Sequence, residues 1–231
     1  MTRFISSDHH LGEDRMVIMG RPFRTGQECV EAMIANHNSV VSPDDEVIFL
    51  GDVCYQKTPE MLPWVAKFHG KKVLVRGNHD RGIPDSEFLK YFDSVIPDGG
   101  RMNLQAGGID CVAVHYPTEG DANAFNLVGH IHAAWKYQLN MLNVGVDVHH
   151  YYPVDLEKVP FHLKAIQEFY DDDVWVAYDK INLKWFGSRG KNGTYFRPDA
   201  KLKKSVSLNE SSDGILLQST CDVGRQVPSG T

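Results

Sequence analysis

The chain reads as an α/β protein whose sheet is at least partly parallel. Two observations predict this. Short β-branched apolar runs alternate with helical periodicities in the order β-α-β-α-β as far as Arg76. In addition, apolar runs across the chain stop abruptly at Asp, Asn or His, and ligands of open α/β sheets gather at the carboxyl ends of strands.

Taken in order, the first strand is expected over Arg3 to Ser6, followed by a loop through Gly12. Val30, Met33, Ile34 and Val40 recur at helical spacing, which predicts a helix from Gln27 to Val40. Pro43-Asp44-Asp45 reads as a turn, and the strand Glu46 to Leu50 follows. A second helix is expected from Pro59 to His69, with Pro59 in its first turn and Gly70 closing it. Lys72 to Arg76 is the third strand, and Ser86 to Tyr91 a short helix. Ser94 to Pro97, Arg101 to Ala106 and Ile109 to His115 then read as short antiparallel strands of a second sheet. Gly107-Gly108 between the last two is a hairpin signal. Phe125 to Val128 and Met141 to Val148 supply two further apolar runs.

Beyond about Pro160 the character changes. Phe161 to Tyr170 reads as a helix, and Val174 to Tyr178, Ile181 to Phe186 and Thr194 to Arg197 as three short strands. From Lys201 the chain is rich in Ser, Asp and Gly without periodicity, the pattern of a mobile tail. The expected organisation is a core over residues 1–160, a helix and β-rich appendage over 161–200, and a tail over 201–231.

With 231 residues the chain can bury one substantial core. A net charge of −6 counts against a dedicated DNA-binding protein. Cys29, Cys54, Cys111 and Cys221 are scattered, so reduced, packed thiols are expected. The first strand starts at once, which leaves no room for a signal peptide, and no apolar run reaches ~18 residues. The expectation is a soluble cytoplasmic protein with no membrane contact.

The chemistry concentrates at five strand ends: Asp8-x-His10, Gly51-Asp52, Gly77-Asn78-His79-Asp80, His115 and Gly129-His130-x-His132. Carboxylates, imidazoles and one amide suit Mn, Fe, Zn, Ni or Co. They argue against a thiolate zinc site or an all-oxygen calcium site. His9 reads as a neighbour behind the ligands or a solvent-facing residue, since side chains alternate direction along an extended segment. Cys54, two positions after Asp52, reads as a packed thiol. His37, His69 and His162 lie away from any motif and read as structural or exposed. Arg81 could contact phosphate or form a surface ion pair. His149-His150 could line a cleft or sit in a polar turn.

The ordered set of five motifs resembles the calcineurin-like metallophosphoesterase superfamily, particularly its small bacterial and phage-type members, over residues 4 to 155. The resemblance implies a four-layer α/β/β/α sandwich of two mixed sheets with a two-metal centre at the sheet edge. By position, Asp8, His10, Asp52 and His132 would hold one ion, and Asp52, Asn78, His115 and His130 the other, with Asp52 bridging. The ions would be Mn, Fe, Ni or Zn, with Mn favoured. A hydroxide bridging them would attack the phosphorus of a phosphodiester or phosphomonoester. His79 would stay off the metals and protonate the leaving oxygen, with Asp80 fixing its tautomer.

Asp8-His9-His10 also matches the core triplet of the unrelated DHH phosphoesterases, but there the triplet falls well inside the chain. Protein Ser/Thr phosphatases of the superfamily carry Asp-Arg-Gly after Gly-Asp and Glu after Gly-Asn-His. This chain has Gly51-Asp52-Val53-Cys54-Tyr55 and Asp80, which favours a small-molecule or nucleotide ester as substrate. In the appendage, Trp175, Tyr178, Trp185, Tyr195 and Phe196 interleave with Lys180, Lys184, Arg189, Lys191 and Arg197. That mixture could stack nucleic-acid bases, although packing on the core is favoured, and a homodimer interface is a further use. A non-catalytic docking module of the same fold and a nuclease are the alternatives to a phosphoesterase.

Overall fold

A computed structural model describes residues 1–55 and 59–169. The expected appendage strands and tail lie outside the described residues. The strands are β1 Arg3–Ser6, β2 Glu46–Phe49, β3 Lys71–Val75, β4 Ser94–Ile96, β5 Arg101–Ala106, β6 Ile109–Val114, β7 Phe125–Val128, β8 Tyr137–Gln138, β9 Met141–Asn143 and β10 Val154–Asp155. The α-helices are α1 Asp14–Ile18, α2 Gly26–Val40, α3 Asp85–Phe88 and α4 Val159–Phe169.

The strands form two five-stranded sheets, ordered β10-β1-β2-β3-β4 and β5-β6-β7-β9-β8. In the first, β1 to β4 run parallel and β10 pairs antiparallel with β1. In the second, β6, β7 and β9 are parallel while β5 and β8 are antiparallel edges. Both sheets are therefore mixed, and the protein is α/β. The Ser94 strand departs from expectation: it extends the first sheet in parallel with β3 instead of joining the antiparallel hairpin of the second.

Period-two alternation explains the near-continuous apolar runs, because both faces of the first sheet are covered. Phe4, Val47, Phe49 and Leu74 face Cys29, Val30 and Met33 of α2. Ile5, Ile48, Leu50 and Val75 face Cys111, Ala113, Phe125, Leu127 and Leu142 of the second sheet. Thr25 caps α2 by accepting the Glu28 N–H at 3.1 Å. The expected helix after Pro59 is a 3-10 helix, Pro59–Lys67. Pro63 has no N–H to donate to the carbonyl four residues back, so an α-helical ladder cannot close there. α4 crosses the expected boundary at 160, and its Val159, Leu163 and Ile166 belong to the core between the sheets. Among the described residues no helix is long and apolar enough to cross a membrane.

At their carboxyl ends the two sheets are stitched together. Ser7, just past β1, bridges to Gly145, just past β9, and the Val146 N–H donates to the Ser7 carbonyl at 3.0 Å. The ends of β1, β2, β3, β6 and β7 thereby meet at one edge.

His37 of α2 is 2% exposed and bonds the His69 carbonyl at 3.0 Å. Burial pushes its imidazole down to about 4, against the pull of that carbonyl. An unfolded His37 takes up its proton near 6.5, whereas the folded chain resists until about 4. Its contribution to stability is therefore complete above about pH 6.5 and is lost on acidification, by up to about 1.4 kcal/mol per pH unit. Urea unfolding between pH 7.5 and 4.5 should show this slope. His37→Gln should make it shallower, and an unchanged slope would place the acid sensitivity elsewhere.

Candidate metal centre

All seven expected ligands arrive at this edge. Asp8 and His10 follow β1, Asp52 follows β2, Asn78 follows β3, His115 follows β6, and His130 and His132 follow β7. Asp8, His10 and His132 each bring a ligand atom within 4.8 Å of the others, as do Asp52, His115 and His130. Asn78 Oδ1 lies 3.2 Å from His115 Nε2. Asp8, His10, Asp52 and His115 are buried, while Asn78, His79, His130 and His132 are half-buried on the open side.

The backbone is bent at these positions. Among the described residues seven non-glycines have positive φ, and five are Asp8 (61°), His10 (48°), Asp52 (55°), His130 (74°) and His132 (49°). Asp and His tolerate this left-handed region better than most residues but still pay for it. Gly51 (φ 87°) has no such penalty, and a Cβ there would collide with the His115 ring.

Carboxylates hold these turns by accepting neighbouring backbone N–H groups. Asp8 accepts from His130 N at 2.9 and 3.0 Å, and Asp52 Oδ1 from His79 N at 2.9 Å. Asp80 accepts from Asp52 N at 2.9 Å, Val53 N at 3.0 Å and Gly77 N at 2.8 Å. This corrects the expected role of Asp80. Its carboxylate does not reach the His79 ring; it lies fully buried beneath the turn and ties the end of β2 to the end of β3. Burial and then the Asp52 charge push Asp80 up to about 6, against the backbone donors.

Three imidazoles have one nitrogen fixed from behind. His10 Nδ1 lies 2.8 Å from Glu13 Oε2, His115 Nδ1 2.7 Å from the Leu50 carbonyl, and His132 Nδ1 3.0 Å from Asp147 Oδ2. Donation at Nδ1 leaves Nε2 as the ligand nitrogen, the usual way a protein sets a metal-binding tautomer. At the centre, Asp52 Oδ2 lies 3.6 Å from His10 Nε2 and 3.4 Å from His115 Nε2. Asp52 Oδ2 and His10 Nε2 are buried without a hydrogen-bond partner. Burial alone would raise the Asp52 carboxyl, but His115 and His10 outweigh it and hold it well below the usual carboxylate range. Burial likewise opposes protonation of His115, yet Asp52 pushes it up to about 9.

His79 is half-buried, its ring 4.8 Å from that of His10 and 5.2 Å from that of Tyr55. One of its ring nitrogens also falls within 4.8 Å of ligand atoms of His10 and Asp52, so His79, expected to stay off the metals, joins a further group that could hold a cation. Arg81 pairs with Asp98 at 2.5 Å and donates to the Tyr116 hydroxyl at 3.1 Å, which is the ion-pair reading. His149 bonds the Asn143 carbonyl at 2.8 Å, a turn contact. His9 stacks on Phe49 at 4.6 Å within the core, and Cys54 is buried as expected.

Glu13, Asn143 and Asp147 were not singled out as site residues by the sequence. Asn143 is fully buried and donates to the carbonyls of His132 at 2.8 Å and Trp135 at 2.7 Å, which closes the loop carrying His130 and His132.

No protein-family model matches the sequence. The chain is 26% identical over 169 residues to the uncharacterized protein MJ1445 of Methanocaldococcus jannaschii, covering 68% of this chain and 88% of that protein. Its fold is similar to that of AQ665, a protein of unknown function from Aquifex aeolicus. The TM-score is 0.55 at 21% identity, over 69% of this chain and 97% of that one. The second likeness supports the α/β fold alone.

Asp80→Ala would leave three buried N–H groups without an acceptor, each worth about 1–3 kcal/mol. Urea unfolding of chelator-treated protein should show a loss of at least about 3 kcal/mol. A carboxylate that served only a catalytic histidine would leave this stability unchanged.

Proposed function

We propose that the chain is a calcineurin-like metallophosphoesterase. It hydrolyses phosphodiester or phosphomonoester bonds, the diester preferentially, with two divalent cations (Mn first, then Fe, Ni or Zn). The observation that carries this reading is Asp52 Oδ2, an ionised oxygen buried between His10 Nε2 and His115 Nε2 without a hydrogen-bond partner. A buried anionic oxygen needs a positive partner; His115 supplies it when protonated, and a metal ion would take its place as the imidazole gives up that proton. The donor set fits borderline divalent metals. The paired sheets, with helices on the outer side of the first, support the four-layer α/β/β/α arrangement that goes with this reading.

In this reading Asp8, His10, Asp52 and His132 hold one ion, and Asp52, Asn78, His115 and His130 the other. Bound ions supply charge for the non-bridging phosphate oxygens and lower the pKa of water. The chain's own residues do the remainder. Asp52 Oδ1 fixes the backbone of His79 through a 2.9 Å bond, which sets the imidazole at the open side of the pair. Burial pushes that imidazole below its ordinary range, with Asp52 opposing. In its imidazolium form it would pass a proton to the leaving oxygen and be left as the neutral ring, and as the neutral ring it would stabilise charge there by N–H donation. The substrate in this reading is a small phosphate ester or nucleotide. The net charge of −6 disfavours a long nucleic acid.

Chelator-treated protein given Mn, Ni, Zn or Mg should turn over bis-p-nitrophenyl phosphate in preference to p-nitrophenyl phosphate. Asp52→Asn should abolish both activities. His79→Gln should lower kcat roughly 10²–10⁴-fold while metal content stays at two; loss of an ion in this variant would make His79 a ligand. Two bound ions with no turnover of either ester would reject the enzyme reading in favour of a docking module.

A further inference from the structure

We infer that Arg21 is a positioning residue for one half of the centre, the half built by Asp8, His10 and His132, and that it acts through Asp147; this rests on the two-metal reading above. Arg21 is 5% exposed and lies behind the ligands. Its Nε donates to Asp147 Oδ1 at 2.8 Å and its Nη2 to Asp147 Oδ2 at 3.1 Å, a fork that clamps the carboxylate. The same guanidinium donates from Nη2 to the Asp8 carbonyl at 2.6 Å and from Nη1 to the His9 carbonyl at 2.7 Å. Asp147 Oδ2 in turn lies 3.0 Å from His132 Nδ1.

One side chain thus fixes two turns from different sheets. Directly it holds the peptide groups of Asp8 and His9, flanked by positive φ at Asp8 (61°) and His10 (48°). Through Asp147 it sets the ring of His132, itself at φ 49°. None of its hydrogen bonds reaches Asn78, His115 or His130. The other half is held by different means: His115 Nδ1 sits on the Leu50 carbonyl, and Asp80 accepts the N–H groups of Asp52 and Gly77. The two halves therefore differ in what supports them, the Arg21–Asp147 relay on one side and the Asp80 carboxylate with the Leu50 carbonyl on the other. Loss of the relay should weaken one ion and spare its neighbour. Lysine cannot replace Arg21, since a single ammonium cannot span both carboxylate oxygens and two carbonyls at once.

The test is Mn²⁺ binding to chelator-treated full-length chain, by titration calorimetry and by EPR of the loaded protein. Wild type should bind two ions with an exchange-coupled spectrum. Arg21→Lys and Arg21→Gln should keep one ion at wild-type affinity and bind the other roughly ten- to a hundredfold more weakly. At one equivalent of Mn²⁺ their spectrum should be that of a single uncoupled ion. Asp147→Asn, which leaves Arg21 its bonds to the Asp8 and His9 carbonyls, should show the same selective loss and decides the matter if the Arg21 variants fail to fold. Asn78→Ala, on the other half, should lose the opposite ion. Equal weakening of both ions, or two ions bound as in wild type, would overturn the inference alone. A wild-type chain that binds fewer than two ions would overturn the two-metal reading, and the inference with it.

Discussion

The edge of this protein depends on carboxylates that accept backbone N–H groups from the neighbouring turn. Left-handed conformations at five non-glycine residues cost about 1–3 kcal/mol each, and they persist only because the surroundings determine them. Asp80 gathers three N–H groups from the turns after β2 and β3, Asp52 takes the next at His79, and Asp8 takes that of His130. Charge-assisted bonds of this kind are roughly twice as strong as neutral ones. Asp8 and Asp52 thus serve twice, once as candidate ligands and once as the ties that keep other candidate ligands in place.

Those ties work because the strands beneath them cannot yield. β1, β2 and the carboxyl end of β3 are buried on both faces, by α2 on one side and the second sheet on the other. A one-residue slip would exchange the two faces of a strand and expose neither to water, but it would move every strand end relative to the next. The Ser7–Gly145 bridge and the bond between Ser7 Oγ and the Leu50 carbonyl, 2.7 Å long, pin this register where it matters.

The strand ends were legible in the sequence because a buried parallel strand is short, apolar and abruptly terminated, and each of the five stops on a ligand-type residue. What the sequence could not show was direction. Asp80 follows His79 in the chain, and adjacency suggested partnership; the tight turn sends its carboxylate underneath, to the end of β2. Glu13 lies only three residues from His10, but nothing in its neighbourhood marks it out. Arg21 and Asp147 are 126 positions apart and meet only once the two sheets are packed. The strand at Ser94 was visible as a strand, while its sheet was not, because three residues carry no pattern that distinguishes a parallel edge from a hairpin. Residues 56–58 and 170–231, including the aromatic and basic stretch, lie outside the described residues.

The division of labour between the sheets gives the edge its chemical character. The first sheet delivers both candidate carboxylate ligands and the amide, Asp8, Asp52 and Asn78, together with His10. The second delivers only imidazoles, His115, His130 and His132. Among the candidate ligands, negative charge therefore belongs to one layer and imidazoles alone to the other, and their separation is set by the apolar core between them. His115 reaches across that boundary to the Leu50 carbonyl, and the His130 N–H reaches across it to Asp8. A cation held between the layers would be bound by groups that neither sheet could assemble by itself. Packing of Ile48 and Leu50 against Ala113 and Leu127 thus governs the distance from Asp52 to His115 as directly as any hydrogen bond at the site.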